Sequence, residues 1–256
     1  GFAGYLSTFF DVPKVIASVG LISFIGLIAI KGINESAKAA AAFTLIEILG
    51  LALVIWFGKS AFSSVSPSEL FRIDPVYGVS GLVAGSFLAF YAFIGFEDMA
   101  NVAEEVKNPK KAMPLAILFA LLASTTLYLL VVVVATTIVS PLELASSSAP
   151  LTLVFERSGA NTSVILSIIG MVAAFNGVIV QVIMGSRILY GLSSQGWIPK
   201  NLSRVHGSYQ TPTNATLLVL VLMIAGTLLL PLVSLAQITS LLVLSIFAAV
   251  NLSLVV

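Results

Sequence analysis

The sequence predicts an all-α polytopic membrane protein, and three observations carry that reading. Hydrophobic residues fill 59% of the 256 positions and charged residues only 9%, too few charges to cover a soluble domain. Mean hydropathy is +1.11. Above all, the apolar residues gather into seven long stretches, each near the roughly 20 residues that cross a hydrocarbon core about 30 Å thick. Lipid offers the backbone no hydrogen-bond partners, and the stretches exceed barrel strands of about ten residues, so helices are expected.

The seven predicted transmembrane helices lie at Pro13–Ile30, Ala37–Phe57, Val79–Phe96, Pro114–Val139, Thr162–Leu189, Asn214–Leu230 and Ala236–Val256. The second carries Glu47 near its middle. The third pairs Gly81 with Gly85, a spacing that permits close helix approach, and breaks off into Tyr91-Ala92-Phe93-Ile94-Gly95-Phe96-Glu97-Asp98. Polar residues then dominate as far as Pro109 and Pro114, which are expected to end that element. The fifth is interrupted by Asn176 and Gln181, five residues and so about 140° apart on a helix. Between the fourth and fifth, Ser140–Asn161 holds Pro141, Glu143, Pro150 and an apolar run, which predicts a short surface helix.

Loop charge sets the orientation. Lys31, Lys38, Lys107, Lys110, Lys111, Arg187, Lys200 and Arg204 fall on one side, eight of the twelve basic residues. Lys14, Lys59, Arg72 and Arg157 fall on the other. The richer side is assigned to the cytoplasm.

Composition also excludes function classes. A net charge of +1 leaves no basic stripe for a nucleic acid. The absence of cysteine removes disulfides and thiolate metal sites. The single His206 lies in a polar loop without partner ligands and is read as a surface residue, so no metal is expected. No nucleophile–base or phosphate-loop arrangement occurs, and neither a catalytic residue nor a cofactor is assigned. The chain opens without an initiator Met or signal peptide and stops within an apolar run at Val256, so it is read as a piece of a longer protein.

What remains points to transport. Charged side chains within spanning segments mark ion or substrate pathways, and glycine-interrupted spans are the sequence pointer to a transporter's binding site. At Phe90–Pro114, FYAFIGFEDMANVAEEVKNPKKAMP, the chain resembles the amino acid–polyamine–organocation permeases. Gly185–Ala215, GSRILYGLSSQGWIPKNLSRVHGSYQTPTNA, is similar to the stretch in which that family ends one helix with Arg and Tyr and opens the next behind G-x-x-P and T-P. The first two spans, joined by Gly32-Ile33-Asn34-Glu35-Ser36, also look like the family.

The resemblance implies a partial ten-helix inverted-repeat core of the LeuT type within a single permease domain over residues 1–256. On that mapping the first two spans (residues 13–57) end the first repeat, as helices four and five. Residues 79–256 form the second, as helices six to ten. The family's helix one, with a Gly-rich break similar in role to Tyr91–Gly95, lies outside the chain.

The same resemblance implies substrate-binding residues. The carbonyls of Tyr91, Ala92, Phe93 and Ile94 would accept from a substrate ammonium, Gly95 would permit the conformation, and Tyr91 would cover the ligand; without the resemblance, Tyr91, Phe93 and Phe96 read equally well as interface aromatics at a helix end. Gln181 falls where the family's helix eight lines the pocket, with interhelical hydrogen bonding as the alternative. Where several members carry a lysine in place of a sodium ion, this chain has Glu47 in L-I-E-I-L. A carboxylate at a helix centre costs roughly 2.5–3.5 kcal/mol. Two readings stand for Glu47: an acid that binds an ion or carries a proton, or a neutral side chain hydrogen-bonded between helices. Glu97 is likewise either a proton-linked acid or a helix-terminal carboxylate at cytoplasmic water.

The expected function is therefore secondary active transport of an amino acid or related amine by alternating access, proton-coupled or by exchange. The expected setting is a multi-pass protein of the plasma (cell inner) membrane whose partners are the small-molecule substrate and membrane lipid. A channel would need pore-lining polar residues at regular spacing, and a non-transporting scaffold would have no use for a broken helix. An intramembrane enzyme would need Glu47 and Glu97 within mutual reach.

Overall fold

A computed structural model describes residues 1–32, 37–66, 68, 73, 78–96, 99, 106–159 and 163–253, with only the backbone of 37–40. Its helices are α1 (Phe2–Leu6), α2 (Lys14–Lys31), α3 (Ala37–Phe57), α4 (Ala61–Ser64), α5 (Gly78–Tyr91), α6 (Pro109–Ile138), α7 (Pro141–Ser146), α8 (Pro150–Arg157), α9 (Ser163–Ser194), α10 (Thr213–Leu229) and α11 (Leu232–Ser253). A 3₁₀ turn covers Lys200–Ser203. No strand occurs among the described residues. Helices α2, α6, α9 and α11 are each long and apolar enough to cross a membrane, and α3, α5 and α10 supply shorter apolar stretches. These are the seven expected spans, and the chain is an all-α polytopic membrane protein.

Large side chains such as Trp56, Phe119 and Leu252 stand at 66–68% exposure on these helices. In water such a surface would aggregate. In lipid it is the solvated surface.

Two expectations need correction. The fourth span begins a turn before Pro114: Asn108 adopts φ 56°, Lys111 and Ala112 donate to its carbonyl, and α6 starts at Pro109. Pro114 sits inside the helix at its sixth position, where its missing N–H removes one intrahelical bond close to an end that already carries unpaired donors. The Ser140–Asn161 linker forms two short helices, not one. Ser140 caps α7 by accepting from the Glu143 amide at 3.3 Å, and Pro150 occupies the first turn of α8, where a proline is favourable. Arg157 joins the two through an exposed ion pair to Glu143 at 2.6 Å.

The chain divides into two compact units, Gly1–Ser64 with Leu130–Leu228, and Val65–Leu129 with Leu229–Val256. In the first, α9 is the central helix, packed by α1, α2, α3, α8 and the 3₁₀ turn. Ile22 and Ile25 of α2 meet Ile179 and Val182 of α9 and Leu220 of α10 in one apolar cluster. Val54, Val134, Val154, Phe155 and Leu166 form a second. Apolar transfer drives little of this association in lipid, where close van der Waals packing through small residues takes over. A side chain at Gly26 would collide with Leu220, and one at Gly58 with Val134.

The loop after α9 is tied back to α2. Thr211 donates its hydroxyl to the Ile30 carbonyl at 2.7 Å, covering the C-terminal end of α2. His206, exposed as expected, orders this loop: Nδ1 accepts from the Ser208 and Tyr209 amides, and the ring stacks on Tyr209 at 4.8 Å.

In the second unit α5 packs against α11, and the fully buried Ser240 donates to the Phe87 carbonyl at 2.7 Å. The G-x-x-x-G face is not the contact at Gly85, where an added Cβ would meet open space.

Candidate functional site

Each unit holds one feature that the sequence singled out. In the second unit, α5 ends at Tyr91 and residues 92–96 continue as turns. The amides of Ala92, Phe93 and Ile94 donate to the carbonyls three residues back at 2.9–3.3 Å, so the α pattern tightens as it stops. Gly95 then takes φ +123°, a conformation that L side chains rarely adopt. The helix terminates where the apolar stretch does not, and that mismatch requires neighbours to satisfy the freed backbone.

One such neighbour is Tyr128 of α6, whose hydroxyl donates to the Ala92 carbonyl at 3.0 Å. Its ring meets Phe93 edge-on at 5.2 Å and 68°. Phe247 of α11 approaches Phe90 at 6.4 Å and Phe96 at 5.5 Å. Tyr91, at 41% exposure, and Ala92 are exposed, while Phe93, Ile94 and Gly95 are half-buried. Glu97 and Asp98, the acids after the break, lie outside the described residues.

In the first unit, Asn176 Nδ2 donates to Glu47 Oε1 at 2.9 Å, joining α9 to α3 at the depth of the half-buried carboxyl. One turn along α3, Gly50 lies so close to Ile169 that a side chain there would collide with it. As numbering rises along α3 it falls along α9, so the helices run antiparallel through this contact. Glu47 opens onto a cavity of about 290 Å³ whose other walls include Tyr5, Leu51, Leu166, Ile169 and Ala173. The Tyr5 ring lies on Gly170, and burial pushes its phenol above its ordinary pKa. Asn176 Oδ1 is buried and has no hydrogen-bond partner among the described residues.

The half-turn geometry of α9 separates the two amides. Asn176 is drawn onto α3, whereas Gln181 is exposed and does not line the cavity that Glu47 opens onto.

Sequence reasoning passed over Tyr5 and Tyr128. Tyr5 precedes the first span in a stretch with no pattern to mark it. Tyr128 did carry a signal, because a tyrosine deep within an apolar helix, away from either interface, must find an acceptor for its hydroxyl.

A family model described as amino acid permease matches residues 1–256. The branched-chain amino acid permease BcaP of Bacillus subtilis (strain 168) is 30% identical over 250 residues, covering 97% of this chain and 52% of the relative. The cationic amino acid transporter 9, chloroplastic, of Arabidopsis thaliana is 30% identical over 187 residues, covering 73% of this chain and 32% of the relative. The methylthioribose transporter of Bacillus subtilis (strain 168) is 26% identical over 208 residues, with coverage of 81% and 43%. The chain thus spans about half, or less, of the length of these relatives.

Proposed function

Since the chain belongs to the amino acid permease family, we propose that it is part of a secondary active transporter carrying an amino acid or related amine by alternating access. The observation that carries this reading is the end of α5 at Tyr91, followed by turns and a glycine at φ +123°. Backbone that leaves its helix inside an apolar unit presents carbonyl dipoles suited to an ammonium group. Tyr91, Ala92, Phe93, Ile94 and Gly95 are assigned to the substrate, and Gln181 of α9 is assigned to it as well. Residues 13–57 close the first inverted repeat and 79–256 form the second, in the cell inner membrane with Lys110 in the cytoplasm.

Coupling is assigned to Glu47 in the first instance. A carboxyl group in the middle of α3, hydrogen-bonded to an amide and open to a cavity, has the environment for taking up and releasing a proton. Glu97 is the competing acid. An enzyme reading would pair Glu47 with a second catalytic group, and its described partner is an amide instead.

Uptake of labelled leucine, arginine and putrescine into liposomes holding the full-length protein tests the proposal. Saturable accumulation of one of them that a pH gradient drives, or that internal substrate accelerates, is the expected result. A current without saturation would make the protein a channel, and no flux of any probe would favour a scaffold.

A further inference from the structure

We propose that the loop of residues 196–204, between α9 and α10, is a binding site for phospholipids of net negative headgroup, with Trp197 seated at headgroup depth and Lys200 and Arg204 holding the phosphate. The inference is independent of the transport reading, because it concerns only how this end of the first unit meets the bilayer.

The loop is a built platform. At the end of α9, Gly196 takes φ +83° and donates its amide to the Ser193 carbonyl at 3.1 Å, while the Trp197 amide donates to Leu192 at 3.0 Å. This is the paired bonding of a Schellman turn. The buried Ser193 hydroxyl donates to the Pro199 carbonyl at 2.8 Å, and the 3₁₀ turn Lys200–Ser203 packs back on α9. Asn214, at the start of α10, donates to the Asn201 carbonyl at 2.9 Å. Tied at both ends, the loop holds in place whatever it leaves exposed.

What it leaves exposed is an indole. A Schellman turn frequently packs the residue after its glycine on the one five positions back, here Leu192, yet Trp197 stands at 78% exposure. Tryptophan gathers at membrane interfaces because its ring is apolar while its N–H seeks an acceptor. The depth agrees. Glu47 and Asn176 mark one level on the antiparallel α3 and α9. Trp56, the chain's other tryptophan, lies nine residues past Glu47, and α9 ends at Ser194, eighteen past Asn176. Those spacings are about 13 and 27 Å in opposite directions. The two tryptophans are thus about 40 Å apart in depth, the thickness of a bilayer with its headgroup regions.

The charge around Trp197 selects among lipids. Lys200 and Arg204 bracket the 3₁₀ turn, Arg187 lies about two turns before the end of α9, and Lys31 ends α2 where Thr211 of the same loop is bonded to Ile30. All four are exposed, and none forms an ion pair among the described residues. No described acid of the first unit shares this end: Asp11 precedes α2, Glu47 is at mid-depth, and Glu143 and Glu156 precede α9 on α7 and α8. Glu35 lies outside the described residues. Trp56 differs, since its neighbouring cation, Lys59, sits over the ring at 4.8 Å. A zwitterionic headgroup brings its own cation, whereas a net-negative one leaves its phosphate to the protein. Each Lys or Arg near such a surface is worth roughly a fivefold preference.

The experiment is indole fluorescence of the full-length protein in mixed vesicles of phosphatidylcholine and phosphatidylglycerol. Bromine, which quenches indole, is placed on the chains of one lipid at a time. The signal of Trp197 is the difference from Trp197→Phe, and folding of each variant is judged by elution in detergent. That signal is expected to show about a fivefold or greater preference for phosphatidylglycerol. Lys200→Gln combined with Arg204→Gln should bring the preference near one; if the pair is not produced, Lys200→Gln alone should lower it in the same direction. Inorganic phosphate at constant ionic strength should leave it unchanged. Both leaflets carry both lipids, so the result does not depend on the assigned orientation.

Equal quenching by the two brominated lipids would overturn the proposal and leave Trp197 an ordinary interfacial aromatic. Quenching of Trp197 by neither would place the loop clear of the bilayer. A preference that survives loss of both cations would locate the selectivity elsewhere, and one abolished by inorganic phosphate would make the loop a site for a free anion.

Discussion

Tyr128 donates its hydroxyl to the carbonyl of Ala92 at 3.0 Å while its ring packs edge-on against Phe93. One side chain thus serves both the backbone that α5 abandons and the aromatic next to it. The carbonyl keeps a second lone pair, so Tyr128 orients Ala92 without occupying all of its accepting capacity.

Tyr128→Phe removes the hydrogen bond and keeps the ring. Interhelical bonds of this type average about 0.6 kcal/mol in membranes, so the folded protein should be almost as stable as wild type. Apparent substrate affinity should fall roughly three- to tenfold, because the carbonyl loses its anchor where the ammonium is assigned; each tenfold corresponds to about 1.4 kcal/mol. Equilibrium binding of labelled substrate to the full-length protein measures this. Unchanged affinity would reduce Tyr128 to a packing residue.

Gly95 makes a different demand. Its φ of +123° disfavours any side chain, yet an added Cβ would meet nothing within 4 Å. The expected effect of substitution therefore acts through the backbone, at about 1–3 kcal/mol, and not through crowding. Gly95→Ala and Gly95→Leu should both abolish or severely weaken substrate binding while the protein remains folded. Normal binding by Gly95→Leu would place the site elsewhere. A defect confined to leucine would restore crowding as the cause.

These two residues show what the sequence reveals and what it hides. The break was legible because Gly95 and the acids after it interrupt an apolar run, a local pattern that needs no knowledge of neighbours. Glu47 was legible for the same reason, as a charge at the centre of a span. Their partners were not. Asn176 lies 129 positions from Glu47 and Tyr128 lies 36 from Ala92, and pairings over such separations depend on helix rotation and register. Hydropathy constrains neither. The start of α6 was misread because Pro114 reads as a boundary by itself, whereas the left-handed Asn108 followed by Pro109 sets the true one. Gly85 of the G-x-x-x-G pair faces open space, because a small residue permits an approach without requiring it.

The orientation assigned from loop charge places Lys110 at the start of α6 in the cytoplasm and α7 outside. Leu142 of α7, at 80% exposure, serves as the external reporter. These 256 residues hold no cysteine, so Lys110→Cys and Leu142→Cys introduce unique thiols into this part of the protein. An impermeant thiol reagent added to intact cells should label position 142 and spare position 110 until the membrane is opened. Labelling of position 110 from outside would invert the topology.

The coupling assignment sets Glu47 against Glu97. If Glu47 carries the proton, uptake by wild-type protein rises as external pH falls, because the loaded carrier needs the acid in its neutral form. Glu47→Gln retains the shape and an acceptor for Asn176 Nδ2, but it fixes a neutral side chain. Net uptake should then lose its pH dependence, while exchange of external for internal substrate, which requires no net proton movement, persists. Glu97→Gln measured beside it should keep the wild-type slope. The reverse pattern, a normal profile in Glu47→Gln and a flat one in Glu97→Gln, would move the proton to the broken helix. Glu47 would then be a neutral acid whose bond to Asn176 holds α3 against α9, and its substitution should register in folding stability alone.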